Sequence, residues 1–116
     1  MSKINRSKEG RRLRRNAPVF AALGDETRLI LLTKLSNGDL LSIARLTHGS
    51  TLTRQAITKH LRVLQSAGLV RGVRRGRENL FKLEPEQLDA ARLALENISR
   101  QWDAALGRLK EFVEKD

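Results

Sequence analysis

The segment Thr53-Arg54-Gln55-Ala56-Ile57-Thr58-Lys59-His60-Leu61-Arg62-Val63-Leu64-Gln65-Ser66-Ala67-Gly68-Leu69-Val70 carries the strongest local signal in the chain. Ile57, Leu61 and Leu64 recur at helical spacing, so one stripe of this segment is apolar. Thr53 stands where an N-cap is needed, its hydroxyl oxygen able to accept a first-turn N–H. Gly68 closes the helix. The other side presents Arg54, Gln55, Thr58, Lys59 and Arg62. These side chains can reach phosphates and base edges. The free N–H groups at the helix start also suit a phosphate.

Working upstream, Ser42 to about His48 reads as a shorter helix ended by Gly49, after an extended segment at Leu40-Leu41. Helix, turn, helix is the arrangement that results. Before it, Asp25 is placed to cap a helix whose apolar positions are Leu29, Leu32 and Leu35, with Ile30 and Leu31 broadening the buried stripe; Asn37-Gly38 stops it. Pro18 is suited to opening a helix, and Val19, Phe20, Ala22 and Leu23 form a short apolar segment ending at Gly24. Downstream, Leu69 to Arg74 reads as a strand, Arg75-Gly76-Arg77 as a turn, and Asn79 to Leu83 as the return strand. This hairpin carries Arg71, Arg74, Arg75 and Arg77, a basic wing suited to a minor groove or the flanking backbone. A solvated loop is the plainer reading of the same arginines.

Pro85 starts the last segment. Leu88, Leu95, Trp102 and Leu109 recur every seven residues, as do Ala91, Ile98, Ala105 and Phe112, with Leu106 and Val113 flanking. That repeat marks a long helix with a continuous apolar seam. A small domain does not easily cover both ends of such a helix, so a second copy of the chain is expected over the remainder. Leu88, Leu95, Ile98, Trp102 and Leu109 are the expected interface residues, with Trp102 as anchor. Gly107 leaves a continuous helix and a kinked, folded-back one both open.

The 116 residues suffice for one domain. Lys plus Arg is 23 and Asp plus Glu is 13, for a formal net charge of +10. The charge is uneven: residues 1–15 carry +6, residues 16–77 carry +7 and residues 78–116 carry −3. A polyanion partner, nucleic acid above all, fits two basic zones followed by an acidic tail. With no cysteine, disulfides, thiolate metal sites and Cys nucleophiles are excluded. Only His48 and His60 are present, and no nucleophile–base–orienter set is visible, so no enzyme activity, cofactor or metal site is expected. No apolar run approaches the roughly 18 residues of a membrane span. The basic first fifteen residues lack a following hydrophobic stretch, so no secretory signal is read there. A soluble cytoplasmic protein without a membrane partner is the expectation.

Phe20-Ala21-Ala22-Leu23-Gly24-Asp25-Glu26-Thr27-Arg28 resembles the opening signature of the ArsR-type winged-helix regulators. Thr58-Lys59-His60-Leu61-Arg62-Val63-Leu64-Gln65-Ser66-Ala67-Gly68-Leu69-Val70 resembles a second signature of that family, and the hairpin with Gly76-Arg77 follows at the family's position. The likeness spans about residues 17–84, with one residue more around Gly49-Ser50 than the common form. It implies a mainly α fold with a small β-hairpin: a disordered basic arm (1–16), a winged helix-turn-helix domain (17–84) and a C-terminal dimerisation helix (85–116).

The function implied is a sequence-specific, homodimeric transcriptional repressor on a palindromic operator in double-stranded DNA, nucleoid-associated when bound. The segment Leu52 to Leu64 matches the family's DNA-reading helix, and Thr53, Arg54, Gln55, Thr58 and Lys59 match contact positions. His60 is expected near the backbone or against the wing base, Asp25 as a cap, and Arg28 paired with a carboxylate. Arg54 and Gln55 are the candidate base readers; Arg62, Arg74, Arg75 and Arg77 are candidates for phosphate or minor-groove contacts. The arm of residues 1–15 is expected to add nonspecific affinity. Metal-sensing members place two cysteines where this chain has Ser42 and Ala44, and others use ligands that include histidines on the final helix, which has none here. Hydroxyl and methyl groups do not replace thiolates toward soft metals. The effector stays open between a small molecule, a protein and none. A winged-helix module of low DNA specificity, or one that binds protein, is the alternative reading.

Overall fold

A computed structural model of the chain describes residues 8–115. The segment quoted above folds as a helix because its start and end are both locally specified. Thr53 Oγ1 accepts from the Ala56 N–H at 3.1 Å, opening α4. Gly68, at φ +76°, closes it: its N–H donates to Gln65 O at 2.9 Å, and Leu69 N–H reaches back to Leu64 O at 2.9 Å. That pair of bonds is a Schellman cap, and Leu64 and Leu69, both fully buried, supply the apolar contact that accompanies it. Gly68→Ala is therefore expected to lower stability by about 1–2 kcal/mol, because an L-residue resists the left-handed conformation. The added Cβ would also stand 2.9 Å from Gln87 Cγ. Chemical denaturation checks it; an unchanged midpoint would contradict the role of this cap.

In chain order the elements are α1 (Lys8–Leu23), α2 (Glu26–Leu35), β1 (Leu41–Ser42), α3 (Ile43–Thr47), α4 (Arg54–Ser66), β2 (Val70–Arg75), β3 (Glu78–Leu83) and α5 (Pro85–Glu114). The sheet is antiparallel in the order β1-β3-β2. Leu41 pairs with Phe81 and Ser42 with Leu80, while Val70 faces Leu83 and Arg75 faces Glu78. Asp25 and Ser42 cap α2 and α3 through Oδ2 to Arg28 N–H (3.1 Å) and Oγ to Arg45 N–H (3.2 Å). The fold is thus a winged helix-turn-helix with a long C-terminal helix. Its core joins Leu31 and Leu35 of α2, Leu46 of α3, Ile57, Leu61 and Leu64 of α4, and Leu69, Val70 and Phe81 of the hairpin.

Three sequence expectations change here. Residues 1–7 of the expected arm lie outside the described residues, but 8–16 are helical, not disordered. Their inward side, Gly10 and Asn16 followed by Val19 and Ala22, is buried, and Glu9 accepts from Gln101 Nε2 on α5. Contact with α5 gives this charged segment the burial it could not supply alone. Pro18 does not open a helix; it sits exposed within α1. Leu29 and Ile30 are each 48% exposed, whereas Leu31, Leu32 and Leu35 are buried. At about 100° per residue, Leu29 and Ile30 turn away from the side those three share.

The last helix runs unbroken from Pro85 through Gly107 to Glu114. At 1.5 Å per residue it is about 45 Å long, in a protomer extending 68 Å. Ala91 and Ala94 are buried, but past Ile98 every described residue of α5 is exposed. Trp102 is 64% and Phe112 79% exposed. No helix among the described residues is long and apolar enough to cross a membrane.

Candidate nucleic-acid interface

Rotation about the α4 axis separates its two sides. Ile57, Leu61 and Leu64 point into the core with essentially no exposure. Arg54, Gln55, Lys59 and Arg62 are exposed on the other side, with Thr58 half-buried between them. Thr58 Oγ1 donates to Arg54 O at 2.7 Å, so its hydroxyl proton is committed to the helix and its lone pairs face outward as acceptors. The long side chains of Arg54, Gln55, Lys59 and Arg62 have no hydrogen bond or ion pair within the described protein.

The hairpin stands beside this helix. A cleft of about 370 Å³ between them is lined by Thr58, Arg62, Gln65, Arg74 and Asn79, with Ile43 and Phe81 at its base. Gly72 permits the close approach, since a Cβ there would lie 3.0 Å from Gln65 Nε2. The structure therefore brings Thr58, Arg62 and Arg74 together. Arg75 and Arg77 flank Gly76, whose φ of +59° makes the tip of the wing. Arg74 Nε donates to Gly76 O at 3.3 Å, holding that side chain along the tip. Arg71 differs from the other wing arginines: it pairs with Glu84 at 3.0 Å. Gln65 and Asn79 were not singled out from the sequence, yet both face the cleft. Gln65 shares the exposed side of Arg54, Thr58 and Arg62 by helical period, which was the available signal.

Two family-derived expectations are corrected. Among the described residues, the Arg28 guanidinium hydrogen-bonds no carboxylate. Its Nε donates to Ala22 O at 2.6 Å and another of its nitrogens to Ala21 O at 3.5 Å, capping the carbonyl end of α1. A cation at a helix C-terminus meets the negative end of the helix dipole, which favours this pairing. Of the two places expected for His60, the wing base is not where it lies. It lies on the opposite side of α4 from the exposed polar row, with Nδ1 3.3 Å from an Arg28 nitrogen and 3.7 Å from Asp25 Oδ2.

The Arg28 N–H bond to the Asp25 carboxylate, helped by the nearby charges of His60 and Arg28, holds the Asp25 carboxyl below its ordinary value of 3.8. A carboxyl depressed in the folded state stabilises the fold above the unfolded value, and that contribution disappears as pH falls through the folded value. Asp25→Asn keeps a cap acceptor but removes the titration. The variant is expected to show a shallower loss of stability below about pH 4 than wild type. Thermal melts across pH 2.5–6 on the order of half-unit steps read this, and identical acid profiles would contradict it.

No protein-family model matches the sequence. The chain is 38% identical over 92 residues to the uncharacterized HTH-type transcriptional regulator YuzN of Bacillus subtilis, spanning 72% of this chain and 90% of YuzN. It is 30% identical over 98 residues to the HTH-type transcriptional regulator Rv2034 of Mycobacterium tuberculosis, spanning 84% of this chain and 88% of that protein. Among solved structures, an ArsR-like transcriptional regulator from Rhodococcus sp. RHA1 superposes with a TM-score of 0.73 at 39% identity, over 88% of this chain and 95% of that one. With relatives this similar along nearly their whole length, the chain belongs to the ArsR-like family of winged helix-turn-helix transcriptional regulators.

Proposed function

We propose that the chain acts as a homodimeric repressor that occupies a palindromic operator. The observation that carries this reading is the unpartnered row Arg54, Gln55, Lys59 and Arg62, set beside the wing arginines. In this reading Thr53, Arg54, Gln55, Thr58 and Lys59 meet the major groove, with Arg54 and Gln55 reading bases. Arg62, Arg74, Arg75 and Arg77 hold phosphates or the minor groove. Exposed guanidinium groups favour such contacts, because each releases condensed counterions.

The second copy is placed on α5. Leu95, Trp102 and Leu109 are exposed in the single chain and share one side of that helix, with Leu88 and Ile98 half-buried at its margin. Residues 17–84 act as the DNA-binding unit and residues 85–116 as the dimerising helix. The protein works in the cytoplasm, as a regulator and not as an enzyme.

Selection of bound sequences from random duplex DNA by the purified protein tests the reading. The expected result is an inverted repeat whose half-site centres lie about 34 Å apart, one helical turn. Recovery of sequences with no shared motif would overturn it in favour of a low-specificity DNA-binding module.

A further inference from the structure

We infer that the junction of α1 and α5 is a binding site for a small anionic organic molecule, a carboxylate or phosphate carried on an apolar body. A cleft of about 490 Å³ opens there between Arg12, Arg15 and Asn16 of α1 and Gln87, Ala90, Leu93, Asn97 and Arg100 of α5. Among the described residues, three guanidinium groups line it and no carboxylate does. Two of them come from the basic first segment; the third, Arg100, belongs to a stretch, residues 78–116, with a net charge of −3. Arg92, on another side of α5, shows the alternative: it is bound by Asp89 at 2.9 Å and Glu96 at 2.5 Å. Arg100 instead donates to the neutral amide of Asn97, which leaves its charge uncompensated. Glu9, the nearby acid on α1, is engaged by Gln101 and does not line the cleft.

The site has an apolar part as well. Leu93, 46% exposed, and Ala90 form the wall between the arginines and amides. Asn16 anchors the cleft from α1: it is buried, and its Nδ2 is tied to Arg12 O at 2.8 Å. Planar guanidinium groups recognise carboxylate and phosphate through paired N–H donors, and the adjoining amides supply further donors. An apolar wall beside fixed polar groups is how small-molecule sites combine affinity with orientation.

Position separates this cleft from the DNA-facing surface. Gln87, which lines it, packs against Gly68 at the far end of α4. The reading residues Arg54 and Gln55 open the other end, about 20 Å away along the helix axis. Of the described arm arginines, Arg12 and Arg15 line this cleft beside α5. On α5 the lining residues Gln87, Ala90, Leu93, Asn97 and Arg100 follow one helical row, turned away from the row of Leu88, Leu95, Trp102 and Leu109. The proposed dimer seam leaves this cleft uncovered.

The test uses the full chain without DNA, so its outcome does not depend on the operator reading. Phenyl phosphate, benzoate and neutral phenol are titrated separately, followed by calorimetry and by backbone amide shifts. Phenyl phosphate or benzoate is expected to saturate with a Kd on the order of 1 mM or tighter, moving the amides of residues 12–16 and 97–100. The tighter of the two identifies phosphate or carboxylate as the preferred group. Arg15→Gln with Arg100→Gln should weaken that binding roughly ten-fold or more, while Lys110→Gln, an equal change in charge per site elsewhere on α5, should leave it within about two-fold. The assignment is overturned if neither anion saturates, if phenol binds as well, or if Lys110→Gln weakens binding as much as the double variant does.

Discussion

Replacing Trp102 and Leu109 together with aspartate is expected to yield a folded monomer. Both side chains are largely exposed in the single chain, at 64% and 58%. Their loss therefore removes little from the protomer's own core, and helical content and the main melting transition should persist. In a symmetric seam the same change removes two apolar anchors from each chain and buries carboxylates against one another, an arrangement with no compensating partner. Sedimentation at micromolar concentration should move from the dimer to the monomer value. Affinity for a two-half-site operator should fall by about 10²–10⁴, the advantage of linking two binding modules. A variant that sediments with wild type and keeps its operator affinity would place the second copy elsewhere.

The second large effect is expected at the start of α4. Arg54→Ala and Gln55→Ala should each cost about 1–3 kcal/mol on the selected operator, the usual range for a lost base-edge contact. The informative quantity is the ratio between matched and mutated operators. For Gln55→Ala that ratio should collapse at one base pair per half-site, while binding to unrelated DNA barely changes. Arg75→Ala should behave in the opposite way. It should weaken all sequences alike and lower the slope of log affinity against log salt by about one. If Gln55→Ala keeps the full ratio, Gln55 does not read a base.

The parts of this fold that were legible in the sequence are those written in local chemistry. Thr53 and Asp25 cap their helices through bonds three residues away, and such bonds need no tertiary information. Gly68 and Gly76 mark the two sharp turns that launch and reverse the hairpin. The candidate DNA surface was legible for the same reason: Arg54, Thr58 and Arg62 share a side by helical period alone. What stayed hidden depends on distant partners. The charge of residues 8–15 argued for disorder, and only the surface of α5 makes that segment a helix. Arg28 looked like half of an ion pair, yet its guanidinium found the free carbonyls of α1, which no spacing in the sequence announces. Leu29 and Ile30 counted as core because four consecutive residues, 29–32, are apolar and Leu35 follows a turn later; a helix buries only one side.

Arg28 has a mechanical consequence. One side chain holds the carbonyl end of α1 at Ala21 and Ala22, its own N–H is held by the Asp25 cap of α2, and its guanidinium meets His60 on α4. Three helices are thus pinned at a single vertex. A displacement of α1 along α5 cannot leave α4 behind without breaking that vertex. The strain of any such shift is delivered to the middle of α4, on the side opposite its exposed polar row.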